Sequence, residues 1–302
     1  MIRLSSCGMG VLSLVLFGIP AMAADAAGNI PDLSGLWARQ YFFGLEPPET
    51  GHGPIANRSR LPSGQSNPDQ FVGDYSDPIL KPAAAEILKR RGEITLSGTP
   101  FPDPNNQCSP QQVAYILWQW EIQLVQQKDQ VVILYMYDHH VRHVRLNSQH
   151  PARLTPSWSG DSIGRYEGDT LVVDTVGVKA GPLSMMDGLG TPQSDAVHVV
   201  ERYRLIDYDT AIEAEKRGEK DNVRIPSDLV IADGIAVDPD YRGKALQLQF
   251  TVEDPNVLTM AWSAAGTFRR AKSPWVEYVC ADNPYNFGGL STHMPTAEKP
   301  DF

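Results

Sequence analysis

Short strand-like segments separated by tight turns recur from residue 115 onward, and this pattern restricts the fold more than any other feature of the chain. The turns at 127–129, 167–169 and 253–256 carry residues that hairpin connections favour, such as Gly, Asp, Asn and Pro. Short strands joined in this way predict a closed barrel or a sandwich. We predict strands at 116–125, 131–146, 162–166, 170–176, 198–206, 245–253, 257–263 and 275–280.

Side-chain alternation in the segment 245–253 favours the barrel. Leu246, Leu248, Phe250 and Val252 alternate with polar or charged residues, so this strand has one dry and one polar face. The wall of an up-and-down barrel has this property. We therefore expect an all-β, antiparallel barrel with long loops and one or two short helices.

The remaining segments predict little regular structure. A short helix is predicted at 82–91, because Pro82 suits an early helical position and Gly92 follows the basic end. Residues 44–78 are rich in Pro, Gly, Ser and Asn and predict a long surface loop that could act as a lid. The charged residues 211–243 predict an inserted loop, with or without a short helix, within a single domain of residues 24–302.

The first 23 residues have the features of a secretory signal peptide. Arg3 gives a basic start, 10–19 is an apolar run, and Ala21-Met22-Ala23 is a small-x-small cleavage site. The apolar run is too short to span a bilayer. The sequence therefore predicts a periplasmic or secreted protein without a lipid anchor.

Cysteine content and charge restrict the chemistry further. Cleavage after Ala23 leaves Cys108 and Cys280, which we expect to form a disulfide in an oxidising compartment, the alternative being two separate buried thiols. A net charge of −10 disfavours nucleic acids and anionic membranes as partners. A small molecule is the partner that this composition favours.

A row of polar residues follows an apolar run in the segment 131–146. If the segment is one continuous strand, alternation places Tyr135, Tyr137, His139, His143 and Arg145 on a shared face. Directed into a barrel, that face supplies proton-transferring groups and a cation for a carboxylate. Directed outward, it is a solvated face, and the sequence alone leaves both possibilities open.

The histidines of this row first suggest a metal site, but strand geometry disfavours it. His139 and His143 lie four residues apart, which is roughly 13 Å along a strand, and His139 and His140 point to opposite faces. No His-Glu-x-x-His pattern, nucleophile elbow or phosphate-binding glycine loop is present in the sequence. We therefore predict neither a metal nor a cofactor.

Acid–base chemistry with a cationic anchor remains. In this hypothesis His139 or His143 is the general acid, Tyr137 assists, and Arg145 or Arg142 holds a substrate carboxylate. Further candidates for substrate binding are Tyr135, Trp158, Tyr166, His198 and Arg202. Asp174, if buried, requires a partner, for which an arginine is expected.

Three sequence blocks resemble a large family of secreted bacterial proteins with a lipocalin-like β-barrel. They are Asp-Leu-Ser-Gly-Leu-Trp at 32–37, Ser-Ile-Gly-Arg-Tyr-Glu-Gly-Asp-Thr-Leu-Val-Val-Asp-Thr at 162–175, and Ser-Asp-Ala-Val-His-Val-Val-Glu-Arg at 194–202. In lipocalins the tryptophan corresponding to Trp37 plugs one end of the barrel. The chain departs from the family at His143, which stands where such proteins often have a second basic residue, and in the charged insert at 211–243.

Some proteins of this kind are similar to cofactor-independent lyases of lignin-derived aromatic acids. The resemblance therefore implies a lyase that decarboxylates a hydrophobic aromatic carboxylic acid or eliminates a group from it. The alternative is a lipocalin-like protein that binds a small molecule without transforming it.

Overall fold

The computed structural model describes residues 30–39, 44–48, 50–118, 121–223 and 237–280, in which nine strands form a closed barrel. Each strand pairs with the next one along the chain, and the last pairs with the first. The strands are β1 Gly35–Arg39, β2 Ile122–Gln126, β3 Gln130–Tyr135, β4 Val141–Leu146, β5 Asp161–Glu167, β6 Thr170–Val176, β7 His198–Ile206, β8 Ala245–Glu253 and β9 Trp262–Arg270. The predicted all-β barrel is confirmed. The predicted signal peptide lies outside the described residues.

One pair of strands, β4 and β5, is parallel, and the other neighbours in the barrel are antiparallel. A closed ring in which every neighbour is antiparallel needs an even number of strands, so nine strands require one parallel pair. The connection 147–160 therefore runs from one end of the barrel to the other. The hairpins β2–β3 and β5–β6 turn at the opposite end from the β3–β4 connection.

The barrel interior is filled by alternate side chains, as the pattern in β8 predicts. Leu246, Leu248, Phe250 and Val252 are buried and face inward. Trp37 is completely buried, and its indole nitrogen donates to the Leu33 carbonyl at 2.9 Å.

Several predicted strand boundaries are wrong. The segment 116–125 begins with a 3₁₀ turn at Tyr115–Leu117, and β2 starts only at Ile122. The last barrel strand is Trp262–Arg270 rather than 257–263, and 275–280 contains no strand. These errors share one cause: a short apolar run fits a buried loop as well as it fits a strand.

Two helices accompany the barrel. Helix α1, Pro82–Leu96, begins at the predicted proline but continues through Gly92, because the missing side chain lets the helix pack against Val72. A Cβ atom on Gly92 would lie 2.9 Å from the Val72 side chain. Helix α2, Tyr208–Glu219, begins the charged insert and is capped by Asp207, whose carboxylate accepts from the Thr210 amide at 2.9 Å.

The predicted continuous strand at 131–146 is wrong. The chain turns at Tyr137–His139, where Asp138 and His139 adopt left-handed backbone conformations with φ of 49° and 48°, and β3 and β4 then pair as a hairpin. Because of this turn, odd-numbered residues face inward in β3 and even-numbered residues face inward in β4. A shift of one residue in the in-and-out alternation moves every following side chain to the other face of the sheet.

The loop regions pack onto this frame. The described part of 44–78 contains isolated bridges instead of a regular helix or strand, and it contributes Leu45, Ile55 and Val72 to the buried residues. The predicted disulfide Cys108–Cys280 is confirmed and joins the loop before β2 to the segment after β9. None of the helices in the described ranges has the length and apolar character needed to cross a membrane.

Candidate functional site

The interior of the barrel contains a charged cluster centred on Arg142 and Glu201. Both side chains are completely shielded from solvent, and two parallel hydrogen bonds of 2.5 and 2.9 Å join them. The Arg142 guanidinium also donates to Ser162 Oγ, Thr175 Oγ1 and Tyr135 Oη. Tyr203 donates its hydroxyl hydrogen to Glu201 at 2.7 Å.

Arg142 has no N–H donor left for a substrate. A guanidinium has five N–H donors, and Arg142 makes five hydrogen bonds to these partners. Burial by itself would lower the pKa of Arg142, but the Glu201 carboxylate outweighs it and holds the pKa above its usual range. Burial also raises the pKa of both Tyr135 and Tyr203, which keeps their hydroxyl groups protonated. The structure therefore makes Arg142 a partner of Glu201 rather than a free anchor.

The other predicted cation, Arg145, lies on the outside of the barrel with His143. Both side chains are solvent-exposed, since odd-numbered residues of β4 point outward. Arg145 donates two hydrogen bonds of 2.9 and 3.0 Å to Asp161. The predicted face of Tyr135, His143 and Arg145 is therefore divided between the interior and the exterior.

A row of polar contacts between histidines and aspartates continues from Arg145 across the outer face. His150 contacts Asp161 at 2.6 Å and Asp174 at 3.0 Å, and Asp174 also contacts His198 at 3.1 Å. Burial opposes ionisation of Asp161, but hydrogen bonds from His150 and Arg145 hold its pKa below the usual range. The partners of Asp174 are two histidines instead of the expected arginine, because Asp174 points outward from β6 and not into the barrel.

Tyr137 and His139 anchor the segment that follows β9. The Trp275 indole nitrogen lies 3.2 Å from His139 Nδ1, and the Cys280 amide donates to Asp138 at 2.9 Å. The rings of Tyr137 and Tyr278 are 5.5 Å apart. These contacts, together with the disulfide, hold 275–280 beside the turn between β3 and β4.

The remaining predicted residues are dispersed. Trp158 lies in the 147–160 connection with the Lys179 ammonium 4.9 Å from its ring. Tyr166 accepts a hydrogen bond from Gln126 at 2.6 Å, and Arg202 donates to Glu167 at 2.7 Å on the exterior. The structure does not bring the predicted catalytic and substrate-binding residues together in one pocket.

A different pocket, with a volume of about 260 Å³, lies between the loops. We call it the Trp118 pocket. Its apolar walls come from Leu45, Ile55, Phe71, Trp118 and Leu189, and its polar lining includes Asn57, Ser66, Asp187 and Asn222. The rings of Phe71 and Trp118 meet edge to face with centroids 5.8 Å apart.

Asp187 is the unusual member of this lining. The residue is 1 % exposed, and its Oδ1 atom accepts from the amides of Leu189 and Thr191 at 2.9 and 3.1 Å. Its Oδ2 atom is buried and has no hydrogen-bond partner among the described residues. Burial raises the pKa of Asp187, and hydrogen bonds from Thr191, Leu189 and Gly190 oppose that shift only in part. A buried carboxyl oxygen without a partner is costly and is a frequent mark of a functional site.

Close backbone contacts shape the pocket. A Cβ atom on Gly188 would lie 1.7 Å from the Trp118 ring, so only glycine lets the ring rest on this backbone. Arg39 donates to the Gly44 carbonyl at 2.7 Å and to the Trp118 carbonyl at 2.5 Å. These bonds hold the two edges of the pocket at the end of β1.

Glu121, immediately before β2, is a second buried carboxyl group. It is completely buried, and neither side-chain oxygen has a hydrogen-bond partner in the part of the chain that the structure describes. Burial raises its pKa to about 7, and the opposite charge of Arg39 limits that shift. Glu121 is therefore poised to change its protonation state near neutral pH.

Sequence reasoning missed Asp187, Trp118 and Glu121. A weak signal existed for the first, since Asp187 lies between methionines and the glycines 188 and 190 in a segment with no strand pattern. Polar residues in such loops are disproportionately functional. Among the residues described, no group of three or more His, Cys, Asp or Glu side chains is placed to hold a metal ion.

Comparisons with known proteins give no further assignment. No protein-family model matches this chain, and searches of curated proteins and of solved structures found no match.

Proposed function

We propose that this protein binds a small aromatic molecule in the Trp118 pocket and that Asp187 holds the polar group of that molecule. The proposal rests on one observation above all: Asp187, whose buried Oδ2 atom has no hydrogen-bond partner among the described residues, lines a pocket with aromatic and aliphatic walls and a few polar groups. Ligand pockets typically combine such apolar walls with a few polar groups that fix orientation. A ligand hydroxyl or carbonyl that reached Oδ2 would satisfy the unpaired atom.

The barrel is well suited to this role because its strands form a closed ring around a core of buried side chains. The loops that form the pocket rest on this frame. The disulfide Cys108–Cys280 fastens one of those loops. A disulfide is also typical of oxidising compartments, which supports a periplasmic or secreted location for a protein that captures small molecules.

The test is a titration of the full mature chain with 2-naphthol, in which calorimetry measures the binding. We expect one 2-naphthol per chain, and we expect Asp187→Asn to weaken binding about tenfold through loss of the buried hydrogen bond. This substitution can keep the acceptor for the Leu189 and Thr191 amides and change only the Oδ2 position. Asp254→Asn is the matched control, because Asp254 is equally buried but its oxygens are engaged by Ser194 and Asn256.

Two results would overturn the proposal. One is the absence of saturable binding by 2-naphthol, 2-naphthoate and naphthalene alike. The other is an Asp187→Asn affinity equal to that of the wild type. Retained binding of naphthalene by Asp187→Asn would show that the pocket itself is intact.

A lyase reaction on the bound molecule is the second candidate function, and Asp187 is the feature that favours it. A carboxyl group whose pKa is raised gives up its proton less readily than a free one, and in its protonated form it can deliver that proton to a carbon atom from which carbon dioxide departs. The described residues that line the pocket include no arginine to hold a substrate carboxylate, which places this candidate second. Incubation with a panel of aromatic acids, with and without chelator, would reveal carbon dioxide release. Asp187→Asn should reduce that release by about 100-fold or more.

A further inference from the structure

A second cleft lies on the outer face of strands β7, β8 and β9, beneath Pro47, Pro48, Thr50 and the end of α2. We call it the outer cleft. Its volume is about 210 Å³. Most of its side chains are uncharged hydrogen-bonding groups or cations: Thr50, Arg202, Arg217, Gln247, Gln249, Thr251 and Ser263. Its lining differs in kind from the aromatic lining of the Trp118 pocket, although Pro47 borders both.

Arg217 is the cation that distinguishes this cleft. It lies in the last turn of α2 and is half-buried, and no carboxylate pairs with its guanidinium among the residues that the structure describes. The nearby Glu213 forms its ion pair with Lys216 at 2.7 Å. In a chain with a net charge of −10, an arginine without a carboxylate partner beside a polar cleft is available to an anion.

The neighbouring side chains determine which anion fits. Thr251 and Ser263 hydroxyl groups lie 2.8 Å apart across β8 and β9, and the amide of Gln249 contacts Gln247 at 3.3 Å. These groups both donate and accept, so they match hydroxyl groups on a ligand. Pro47, Pro48 and Val200 supply an apolar wall against which the C–H face of a ring can pack.

We infer that the outer cleft binds a carboxylated sugar of monosaccharide size, with its carboxylate on Arg217 and its hydroxyl groups on Thr251, Ser263 and Gln249. Arg202 reinforces the positive potential of the cleft, although it also donates to Glu167 at 2.7 Å. The two arginines supply the charge recognition, and the strand residues supply the recognition of hydroxyl groups.

The experiment is a titration of the isotope-labelled mature chain with D-glucuronate. The NMR chemical shifts of the Thr50, Thr251 and Ser263 amides report the binding. We expect saturable shifts at these amides, and we expect Arg217→Gln to weaken binding about tenfold or more through loss of a charge-assisted contact. Lys220→Gln is the matched control: it removes the same charge from the same end of α2, but its side chain is exposed, does not line the cleft and leaves the ion pair between Lys216 and Glu213 intact.

The ligand class is tested by two further probes. D-glucose lacks the carboxylate and should bind at least about tenfold more weakly than D-glucuronate. Inorganic phosphate tests charge alone, and phosphate binding as tight as that of D-glucuronate would overturn the recognition of hydroxyl groups. No saturable shifts with D-glucuronate, or equal affinity for Arg217→Gln and wild type, would overturn the site itself. Binding of 2-naphthol should be unchanged in Arg217→Gln, so this site and the Trp118 pocket can fail independently.

Discussion

The barrel interior and the Trp118 pocket both bury a carboxyl group, but they treat it in opposite ways. In the interior, Glu201 accepts two hydrogen bonds from Arg142 and a third from Tyr203. In the pocket, one oxygen of Asp187 is bonded to backbone amides and the other has no partner in the described part of the chain. Two equally buried carboxyl groups can therefore have different roles. A carboxylate with all its partners stabilises the barrel, whereas one with an unpaired oxygen is available to a ligand.

The largest expected effect is at the paired cluster. Arg142→Met should destabilise the protein by about 3 to 5 kcal/mol, because it leaves the Glu201 carboxylate buried without its cation. The additional substitution Glu201→Leu should recover a large part of this loss, since it removes the stranded charge. Urea denaturation of both variants measures the two free energies of unfolding. A loss below about 1 kcal/mol for Arg142→Met would contradict a fully paired cluster.

An intermediate effect is expected at Glu121, and it depends on pH. Its pKa in the folded protein is about 7, whereas an unfolded glutamate titrates near about 4.3. As the pH rises between these values, the unfolded chain loses the proton first, so the stability falls. Glu121→Gln should remove this contribution and exceed the wild type in stability above pH 7 by up to about 4 kcal/mol.

Unfolding titrations at pH 5 and at pH 8 separate this effect from ordinary packing. The difference between the variant and the wild type should be small at pH 5 and large at pH 8. A constant difference at both pH values would show that Glu121 keeps the same charge throughout, which would contradict its isolation from hydrogen-bonding partners.

The smallest effect is expected on the outer face. Arg145→Gln removes an exposed ion pair with Asp161, and such pairs contribute about 0 to 1 kcal/mol. His143→Gln alters an exposed side chain whose contact is Gln130 at 3.1 Å. Neither variant should change the affinity for 2-naphthol, because neither residue lines the Trp118 pocket. A loss of 2-naphthol binding in either variant would show that the ligand binds at the outer face of β4 and not in the Trp118 pocket.

The fold was largely readable from the sequence, but the candidate site was not. The alternation in β8 and the hairpin turns were local, and they led to the correct barrel. The row at 131–146 was misleading because the turn at Asp138 and His139 carries no Gly or Pro, although both residues adopt left-handed conformations. Without the turn, the pattern predicts one face where the molecule has two.

Side-chain pairs between residues that are far apart in the sequence could not be predicted either. Arg142 meets Glu201 from 59 residues away, and nothing in the local sequence of either residue indicates the other. The Trp118 pocket likewise combines residues from 44 to 222, which lie in connections without periodic patterns.

The sequence by itself determined the barrel class and, once Cys7 is assigned to the signal peptide, the partnership of Cys108 with Cys280, since these follow from local periodicity, turn chemistry and the number of remaining cysteines. Tertiary structure alone decided which polar groups are paired and which are available. A hydrogen bond depends on the positions of two atoms to within a few tenths of an ångström. A single three-residue turn in β3–β4 was enough to move Arg142 inside the barrel and leave Arg145 in water.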